Sequence, residues 1–406
     1  MLIEYLEREL RAREAQSGLR ERHVSAGACE PRMRLKAADE TFRQLAFCSN
    51  DYLGLANHPC VLTALLEGAV RWGVGSGASH LVSGHSESHE ALEAELATWF
   101  TPFIPGARTL LFGTGYLANL GLLGALGMRN ATIFADKLNH ASLIDGGRLS
   151  RAKVMRYAHA DLTSLDMRLR ACRTPVRLIV TDAVFSMDGD LADLRGLLAL
   201  AESHDAWLIV DDAHGFGVLG ERGRGSLEHS GLRSERLIYM GTLGKAVGVS
   251  GAFVAASATV VKFLLQFARS YVFTTASAPA FAHAALASLR LIGGEEGASR
   301  RQRLRDYICK LRQNLECLAC EASKAGWRLT ASNTPIQPIV VGESIAALRL
   351  AAALKDMGIW VPAIRPPTVP EGTSRLRISV SAAHDPSEIA ELISALRTVA
   401  PRAHSL

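Results

Sequence analysis

A lysine and an acid–histidine pair stand at the ends of two apolar runs that are typical of buried strands. Lys245 lies in a glycine-rich turn just after the run 237–240, and Asp211 and His214 end another run upstream. A lysine amine can form a Schiff base, and a carboxylate can keep a pyridine nitrogen protonated. Pyridoxal phosphate requires both groups, so we predict that this cofactor binds here.

Each of these residues also has an ordinary structural interpretation. Most lysines are solvated surface charges, Asp211 could cap a helix, and His214 could be a core histidine with satisfied hydrogen bonds. A glycine-rich turn is by itself only a turn. The prediction therefore depends on the joint occurrence of these residues, in this order, on alternating strand and helix patterns.

Other residues of the same kind could surround the cofactor. Ser186 and His214 could hydrogen-bond the phenolic oxygen of the ring, and His140 could stack on its face. Asp212 is a less favoured partner for the ring nitrogen than Asp211, because neighbouring strand residues point to opposite faces. The motif GTGYLAN (113–119) follows a strand and opens a helix, so it could bind the phosphate, although a plain turn is an equally good interpretation.

These candidate residues lie within a regular alternation of strand-like and helical segments. The alternation predicts an α/β fold whose large domain has a mostly parallel, seven-stranded sheet covered on both faces. Ligands bind at the carboxyl ends of such strands, where the candidates fall. The predicted strands are 109–112, 131–135, 153–157, 177–182, 207–211, 237–240 and 251–255.

The 406 residues are enough for one large and one small domain. We expect an N-terminal helix and connecting segment at 1–47, a large cofactor-binding domain at 48–290 and a small C-terminal α+β domain at 291–406.

Composition excludes several classes of function. The net charge of +5 is small and the arginines are dispersed, so we expect no nucleic-acid partner. No apolar run approaches about 18 residues, so no membrane span is expected. Seven cysteines without disulfide-like spacing predict a cytoplasmic location. The C-x-x-C at 317–320 lies in a helical pattern without a second pair, and no metal site is predicted.

A series of motifs extends along nearly the whole chain. They are SNDYLG (49–54), HLVSGH (80–85), DKLNH (136–140), DAVFSMD (182–188), VDDAHGFG (210–217), GTLGK (241–245), FTT (273–275) and IRPPTVP (364–370). Together these motifs resemble those of the α-oxoamine synthases, a branch of the fold-type I pyridoxal phosphate enzymes. The resemblance implies an aspartate aminotransferase-like fold and a homodimer with shared active sites.

The resemblance also implies a role for individual residues. Lys245 would hold the cofactor and take the α-proton of the amino acid, Asp211 would pair with the ring nitrogen, and His140 would stack on the ring. Thr274 or Thr275 would reach the phosphate of the partner subunit's cofactor. The implied cofactor-binding residues are Gly115, Tyr116, His140, Ser186, Asp211, His214, Thr242, Lys245, Thr274 and Thr275. The implied substrate-binding residues are Arg20, Asn50, His140, Arg365 and Thr368.

The implied reaction is the condensation of an amino acid with an acyl thioester, with loss of carbon dioxide. The segment 364–370 points to the biotin-biosynthesis branch, whose substrates are L-alanine and pimeloyl-CoA or a pimeloyl-carrier protein. A sister condensing enzyme and a non-catalytic family member are the alternatives. A nucleotide-binding oxidoreductase is excluded, because no G-x-G-x-x-G motif follows the first strand of a βαβ unit.

Overall fold

The computed structural model describes residues 1–15, 18–20, 22–37, 40–322 and 326–400. The chain forms two compact units. The first unit contains Met1–Tyr52, Met187–Asp190 and Arg303–Leu406, and the second contains Leu53–Ser186 and Leu191–Gln302. The predicted domain boundaries at 47/48 and 290/291 stay a prediction.

Strands and helices alternate through the second unit, and the first unit combines short strands with its own helices. The strands are β1 (Val24–Ser25), β2 (Arg32–Ala37), β3 (Glu40–Ala46), β4 (Ala107–Phe112), β5 (Ala131–Asp136), β6 (Lys153–Tyr157), β7 (Val176–Asp182), β8 (Trp207–Asp211), β9 (Leu237–Thr242), β10 (Ala252–Ser257), β11 (Arg328–Leu329), β12 (Ile336–Gly342), β13 (Ile359–Trp360), β14 (Ala363–Ile364) and β15 (Ser374–Ser379). The helices are α1 (Leu2–Ala15), α2 (Pro59–Trp72), α3 (Glu87–Phe100), α4 (Gly115–Leu126), α5 (Ala141–Leu149), α6 (Leu162–Ala171), α7 (Leu194–Ser203), α8 (Ser226–Ser230), α9 (Ala258–Phe267), α10 (Arg269–Val272), α11 (Pro279–Gly293), α12 (Glu295–Glu321), α13 (Ser344–Asp356) and α14 (Pro386–Val399), with a π-helical turn at His80–Gly84.

The second unit is built on a seven-stranded sheet with the order β4-β10-β9-β8-β7-β5-β6. Strand β10 runs antiparallel to the other six strands. The central strands β8 and β9 are apolar along most of their length and buried except at Trp207, as expected for a sheet with both faces covered. The predicted seven-stranded, mostly parallel sheet is confirmed.

Helix starts fix the loops at the carboxyl ends of these strands. Thr114 caps α4 by accepting the Leu117 N–H at 3.2 Å. His140 caps α5 with its own ring, because Nδ1 accepts the Ser142 N–H at 3.2 Å. Side chains that accept from free helical N–H groups stabilise a helix start, so each loop has a defined geometry.

The first unit contains two four-stranded sheets. One has the order β1-β2-β3-β13, with β13 parallel to β3, and the other is the antiparallel sheet β11-β12-β15-β14. A capping box between Asp385 and Glu388 begins α14. None of the helices among the described residues is both long and apolar enough to cross a membrane.

The segment 1–47 contains more structure than the expected helix and connection. Its helix ends at Ala15, and residues 16–17 and 21 lie outside the described residues. The connection that follows contains the hairpin β2–β3, which is not predicted from the sequence. In its strand RMRLKA, charged residues alternate with apolar ones, but only two of the apolar side chains are large.

Candidate active site

Lys245 and His214 form a hydrogen-bonded pair beyond the ends of β9 and β8. Lys245 Nζ lies 2.8 Å from His214 Nε2, and His214 is buried while Lys245 is half-buried. An ammonium can only donate, so His214 accepts through Nε2. The lysine turn ends at Gly248, where φ is +74° and an added Cβ would come within 2.5 Å of Ala56 N, so this position requires glycine.

Asp211 ends β8, and its buried carboxylate accepts a hydrogen bond at each oxygen. One oxygen accepts the Ala213 N–H at 3.0 Å, and the other accepts Asn119 Nδ2 at 2.7 Å. Hydrogen bonds to an ionised carboxylate are stronger than neutral ones, so these donors hold Asp211 in a single orientation. A fixed, buried carboxylate can stabilise a protonated ring nitrogen.

Asp212 has a separate set of partners from its neighbour. Its Oδ2 accepts the Ser226 N–H at 2.6 Å and the Tyr239 hydroxyl at 2.7 Å. Burial raises the pKa of Asp212 to about 7, while the Ser226 and Tyr239 hydrogen bonds act in the opposite direction. Asp212 therefore anchors the loop after β8 and leaves Asp211 to face the site, in line with the alternation of strand side chains.

A chain of hydrogen bonds connects Asp211 with His140. Asn119 Nδ2 also donates to Ser142 Oγ at 2.8 Å, and Ser142 Oγ lies 2.7 Å from His140 Nδ1. Neither Asn119 nor Ser142 has a role that is predicted from the sequence. The only available signal was their position, in the phosphate-loop motif and two residues after His140.

The backbone and the ring of His140 lie in a strongly charged environment. Its N–H donates to Asp182 at 2.7 Å, and burial, followed by the nearby Asp211 charge, raises the pKa of Asp182 well above its usual range. His140 is exposed as a residue, but protein atoms crowd its imidazole and this desolvation lowers its pKa. The Asp211 carboxylate raises that pKa, and Lys245 lowers it. Both charges therefore act on one imidazole.

The predicted phosphate contacts lie at the start of α4 and the end of β9. Gly115 opens α4, and an added Cβ there would contact Met240 at 3.5 Å. Tyr116 is partly exposed and its hydroxyl donates to Asp145. Thr242 Oγ1 donates to the Gly251 carbonyl at 3.2 Å and accepts the Gly244 N–H at 3.2 Å. A helix N-terminus and a hydroxyl are suitable donors for a phosphate.

The remaining cofactor candidates are on loops. Ser186 is half-buried after β7. Thr274 is half-buried and Thr275 is exposed, and Thr275 pairs with Ser79 in an antiparallel bridge. The bridge holds the threonine segment at the surface of the second unit.

Three histidines lie together on the second unit. One ring nitrogen of each of His80, His85 and His89 lies within 4.8 Å of the others. His89 already accepts the Ser86 N–H at Nδ1 and donates to the Ser277 carbonyl from Nε2. Burial lowers the pKa of His80 to about 3, with smaller effects from His89 and His85. Hydrogen bonds account for this cluster, and the absence of a metal site stays a prediction.

Apart from His140, the predicted substrate contacts belong to the first unit. Arg20 Nη2 lies 3.5 Å from Thr368 Oγ1, so two of them meet. Asn50 Oδ1 accepts the Tyr52 hydroxyl at 3.1 Å. Arg365 precedes Thr368 in a turn closed by the Thr368 N–H and the Arg365 carbonyl at 3.1 Å.

The side chains of the second unit fit pyridoxal phosphate. They offer a primary amine at Lys245, a buried carboxylate at Asp211, an imidazole at His140 and phosphate donors at the start of α4. The Lys245–His214 and Asp211–Asn119 bonds are each below 3 Å, so the amine and the carboxylate are already oriented. This set matches the chemistry inferred from the sequence.

Comparisons with known proteins agree with this arrangement. The profile of the aminotransferase class I and II family matches residues 43–396. The 8-amino-7-oxononanoate synthase of Leptothrix cholodnii is 60% identical over 404 residues, which cover 98% of this chain and 99% of that protein. The chain belongs to the class I and II aminotransferase family, in its 8-amino-7-oxononanoate synthase branch. The resemblance to α-oxoamine synthases is thereby confirmed.

Solved structures support the fold of this 8-amino-7-oxononanoate synthase family member. A serine palmitoyltransferase structure with pyridoxal phosphate has a TM-score of 0.88 at 28% identity, covering 98% of this chain and 99% of that one. The 8-amino-7-oxononanoate synthase of Francisella tularensis has a TM-score of 0.71 at 30% identity, covering 87% of this chain and 97% of that one. The predicted fold-type I transferase architecture is confirmed.

Proposed function

We propose that the protein condenses L-alanine with pimeloyl-CoA or a pimeloyl-carrier protein to give 8-amino-7-oxononanoate, free thiol and carbon dioxide in biotin biosynthesis. It is a pyridoxal phosphate-dependent C-acyltransferase. The observation that carries the proposal is the pairing of Lys245 with His214, and of Asp211 with Asn119, in a chain 60% identical to a named synthase.

The residues of the second unit have separate roles in the proposed reaction. Bound pyridoxal phosphate supplies an electron sink for the α-carbon of the amino acid. Lys245 removes a proton from that carbon and later returns one, and His214 orients its amine. Asp211 would keep the ring nitrogen of the cofactor protonated, and His140 would stack on the ring. Gly115, Tyr116, Thr242 and Ser186 bind the remaining polar groups of the cofactor.

The first unit supplies contacts for the acyl substrate. Arg365 and Arg20 carry guanidinium groups, which can form bidentate hydrogen bonds with a carboxylate. The pimeloyl group has a free carboxylate at the end opposite its thioester. Thr368, bonded to Arg20, and Asn50 add neutral polar contacts. These assignments predict a preference for acyl chains that end in an acid.

An exposed apolar face on α2 supports a homodimer. Leu62, Leu66 and Val70 recur every four residues and are 50%, 60% and 89% exposed. Such a stripe on one helix face is typical of an interface. We propose that a second copy covers it and that Thr274 or Thr275 contacts the partner subunit's cofactor.

Two further assignments remain part of the proposal. The domain limits 1–47, 48–290 and 291–406 describe the functional division of the chain. A cytoplasmic location is supported by the seven cysteines, none of which forms a disulfide within the described part of the chain.

Thiol release by the cofactor-loaded protein tests the function. Alanine, glycine and serine are each combined with acyl-CoAs of several lengths, and with pimeloyl-carrier protein. We expect release with alanine and a pimeloyl donor. Release with serine and a long acyl-CoA would instead support the serine palmitoyltransferase-like alternative, which the structural similarity makes the second candidate. No release from any pair would contradict both.

A further inference from the structure

The buried side chain of Asn119 donates both hydrogens of its amide nitrogen. Nδ2 donates to Asp211 Oδ2 at 2.7 Å and to Ser142 Oγ at 2.8 Å, and the residue is 0% exposed. Its Oδ1 is buried and has no hydrogen-bond partner among the described residues. A flipped amide would put that oxygen against the Asp211 carboxylate, so the orientation with Nδ2 toward Asp211 is the favoured one.

This orientation sets the direction of the next hydrogen bond. Ser142 Oγ accepts from Asn119, so its single hydrogen remains to be donated, and His140 Nδ1 lies 2.7 Å away. The Ser142 backbone N–H points to the same nitrogen at 3.2 Å. A ring nitrogen that receives two donors carries no hydrogen, so the proton of neutral His140 sits on Nε2.

We propose that Asn119 and Ser142 are positioning residues that hold His140 as its Nε2–H tautomer, which makes His140 a hydrogen donor and not a base at the cofactor face. The proposal rests on the proposed function only in placing the cofactor beside His140. It leaves proton removal at the α-carbon to Lys245. In this proposal the Asn119 amide determines both the orientation of Asp211 and the tautomer of His140.

The tautomer can be measured directly by nitrogen NMR on holoenzyme labelled with ¹⁵N-histidine. His140→Gln identifies the signals of His140. We expect an unprotonated Nδ1 and a protonated Nε2 in the wild type. Ser142→Ala and Asn119→Ala should each increase the fraction with a protonated Nδ1, because the hydroxyl donor is lost or no longer oriented. Ser142→Thr keeps the hydroxyl and should restore the wild-type signals.

Cofactor affinity gives a second readout that does not depend on turnover. Removing a hydrogen bond to a charged group typically costs a factor of about ten or more, so Asn119→Ala should weaken pyridoxal phosphate binding by that factor. Ser142→Ala should add little in the Asn119→Ala background, because residues of one network are non-additive. Ser150→Ala removes a serine hydroxyl at the other end of α5 and should change neither readout.

Three results would overturn the proposal. They are a protonated Nδ1 in the wild type, an unchanged tautomer ratio in both alanine variants, and effects of the two substitutions that simply add. If Asn119→Ala does not fold, the Ser142→Ala and Ser142→Thr pair still decides the tautomer. No amino acid or thioester is present, so these results stand apart from the outcome of the condensation assay.

Discussion

Lys245 is the residue on which the proposed chemistry depends most directly. Lys245→Ala should remove both the covalent attachment point and the α-carbon base, and general base catalysis alone contributes a factor of about 100 or more. We expect turnover to fall by at least that factor while the fold is kept. Intact mass after borohydride treatment should show bound cofactor in the wild type only.

Lys262→Ala is the matched control, because Lys262 is exposed on α9 in the same unit. It should keep both turnover and the cofactor mass. Covalent cofactor in Lys245→Ala, or undiminished turnover, would contradict the assignment of Lys245.

The buried Asp212 should make the free energy of unfolding depend on pH. Its pKa in the folded protein is about 7, against 3.8 for an ordinary aspartate. Between these values the folded chain retains a proton that the unfolded chain releases, so the Asp212 contribution to the free energy of unfolding falls as pH rises from about 4 to about 7. Asp212→Asn should flatten that part of the urea-unfolding profile.

Asp356→Asn, at an exposed position that ends α13, provides the comparison for Asp212→Asn. Its pH profile should follow that of the wild type. An unchanged slope in Asp212→Asn would mean that Asp212 is ionised in the folded protein across this range.

Site residues that directly follow strands could be predicted from the sequence. Contacts between elements that are distant in the sequence could not. Lys245, Asp211 and His214 could be found because each stands at or just past the end of an apolar run. The Lys245–His214 bond follows from the geometry of a parallel sheet, whose strands end at the same edge. Asn119 lies 92 residues before Asp211, on a helix whose exact rotation decides the contact. No local pattern in the sequence records such a contact.

At the scale of elements, the turn that carries Lys245 depends on one glycine. Gly248 has a φ of +74°, and an added Cβ would come within 2.5 Å of Leu55 C and Ala56 N, both backbone atoms. Gly248→Ala should therefore lower the free energy of unfolding by about 2 kcal/mol or more, from left-handed strain and overpacking together. Chemical unfolding measures this loss.

Gly244→Ala is the control in the same turn. Its Cβ would have Thr242 Oγ1 as nearest neighbour, at 3.7 Å, and its φ is not in the left-handed region. We expect a much smaller change in unfolding free energy. Equal losses in the two variants would show that the close approach at residue 248 does not limit stability.

The strands of the large sheet were easier to predict than those of the first unit. All seven were expected, and the central ones, such as β5 and β9, are nearly continuous apolar runs because both of their faces are covered. The hairpin β2–β3 was not predicted. Its strand RMRLKA alternates charged and apolar residues, as a half-buried strand does, but it carries only two large apolar side chains. Exposed strands take their conformation from pairing with neighbours, which the sequence records only weakly.

For the whole molecule, the stripe Leu62, Leu66 and Val70 should decide the oligomeric state. Leu66→Glu combined with Val70→Glu places two charges in the proposed interface, where burial of an unpaired charge is strongly unfavourable. We expect a monomer in sedimentation velocity, with loss of activity. Met167→Glu, at an exposed apolar residue on α6, should remain a dimer. A dimer in the stripe variant would place the interface elsewhere.

Shared active sites make a quantitative prediction for mixed dimers. If Lys245 of one subunit works with Thr274 or Thr275 of the other, then Lys245→Ala and the double variant Thr274→Ala/Thr275→Ala are each inactive alone. A mixed dimer of the two has one complete site, because the intact lysine and the intact threonines come from different chains. Random exchange of equal amounts gives half mixed dimers with one working site of two, so activity should recover to about a quarter of the wild type. Sites completed within one chain would give no recovery at all.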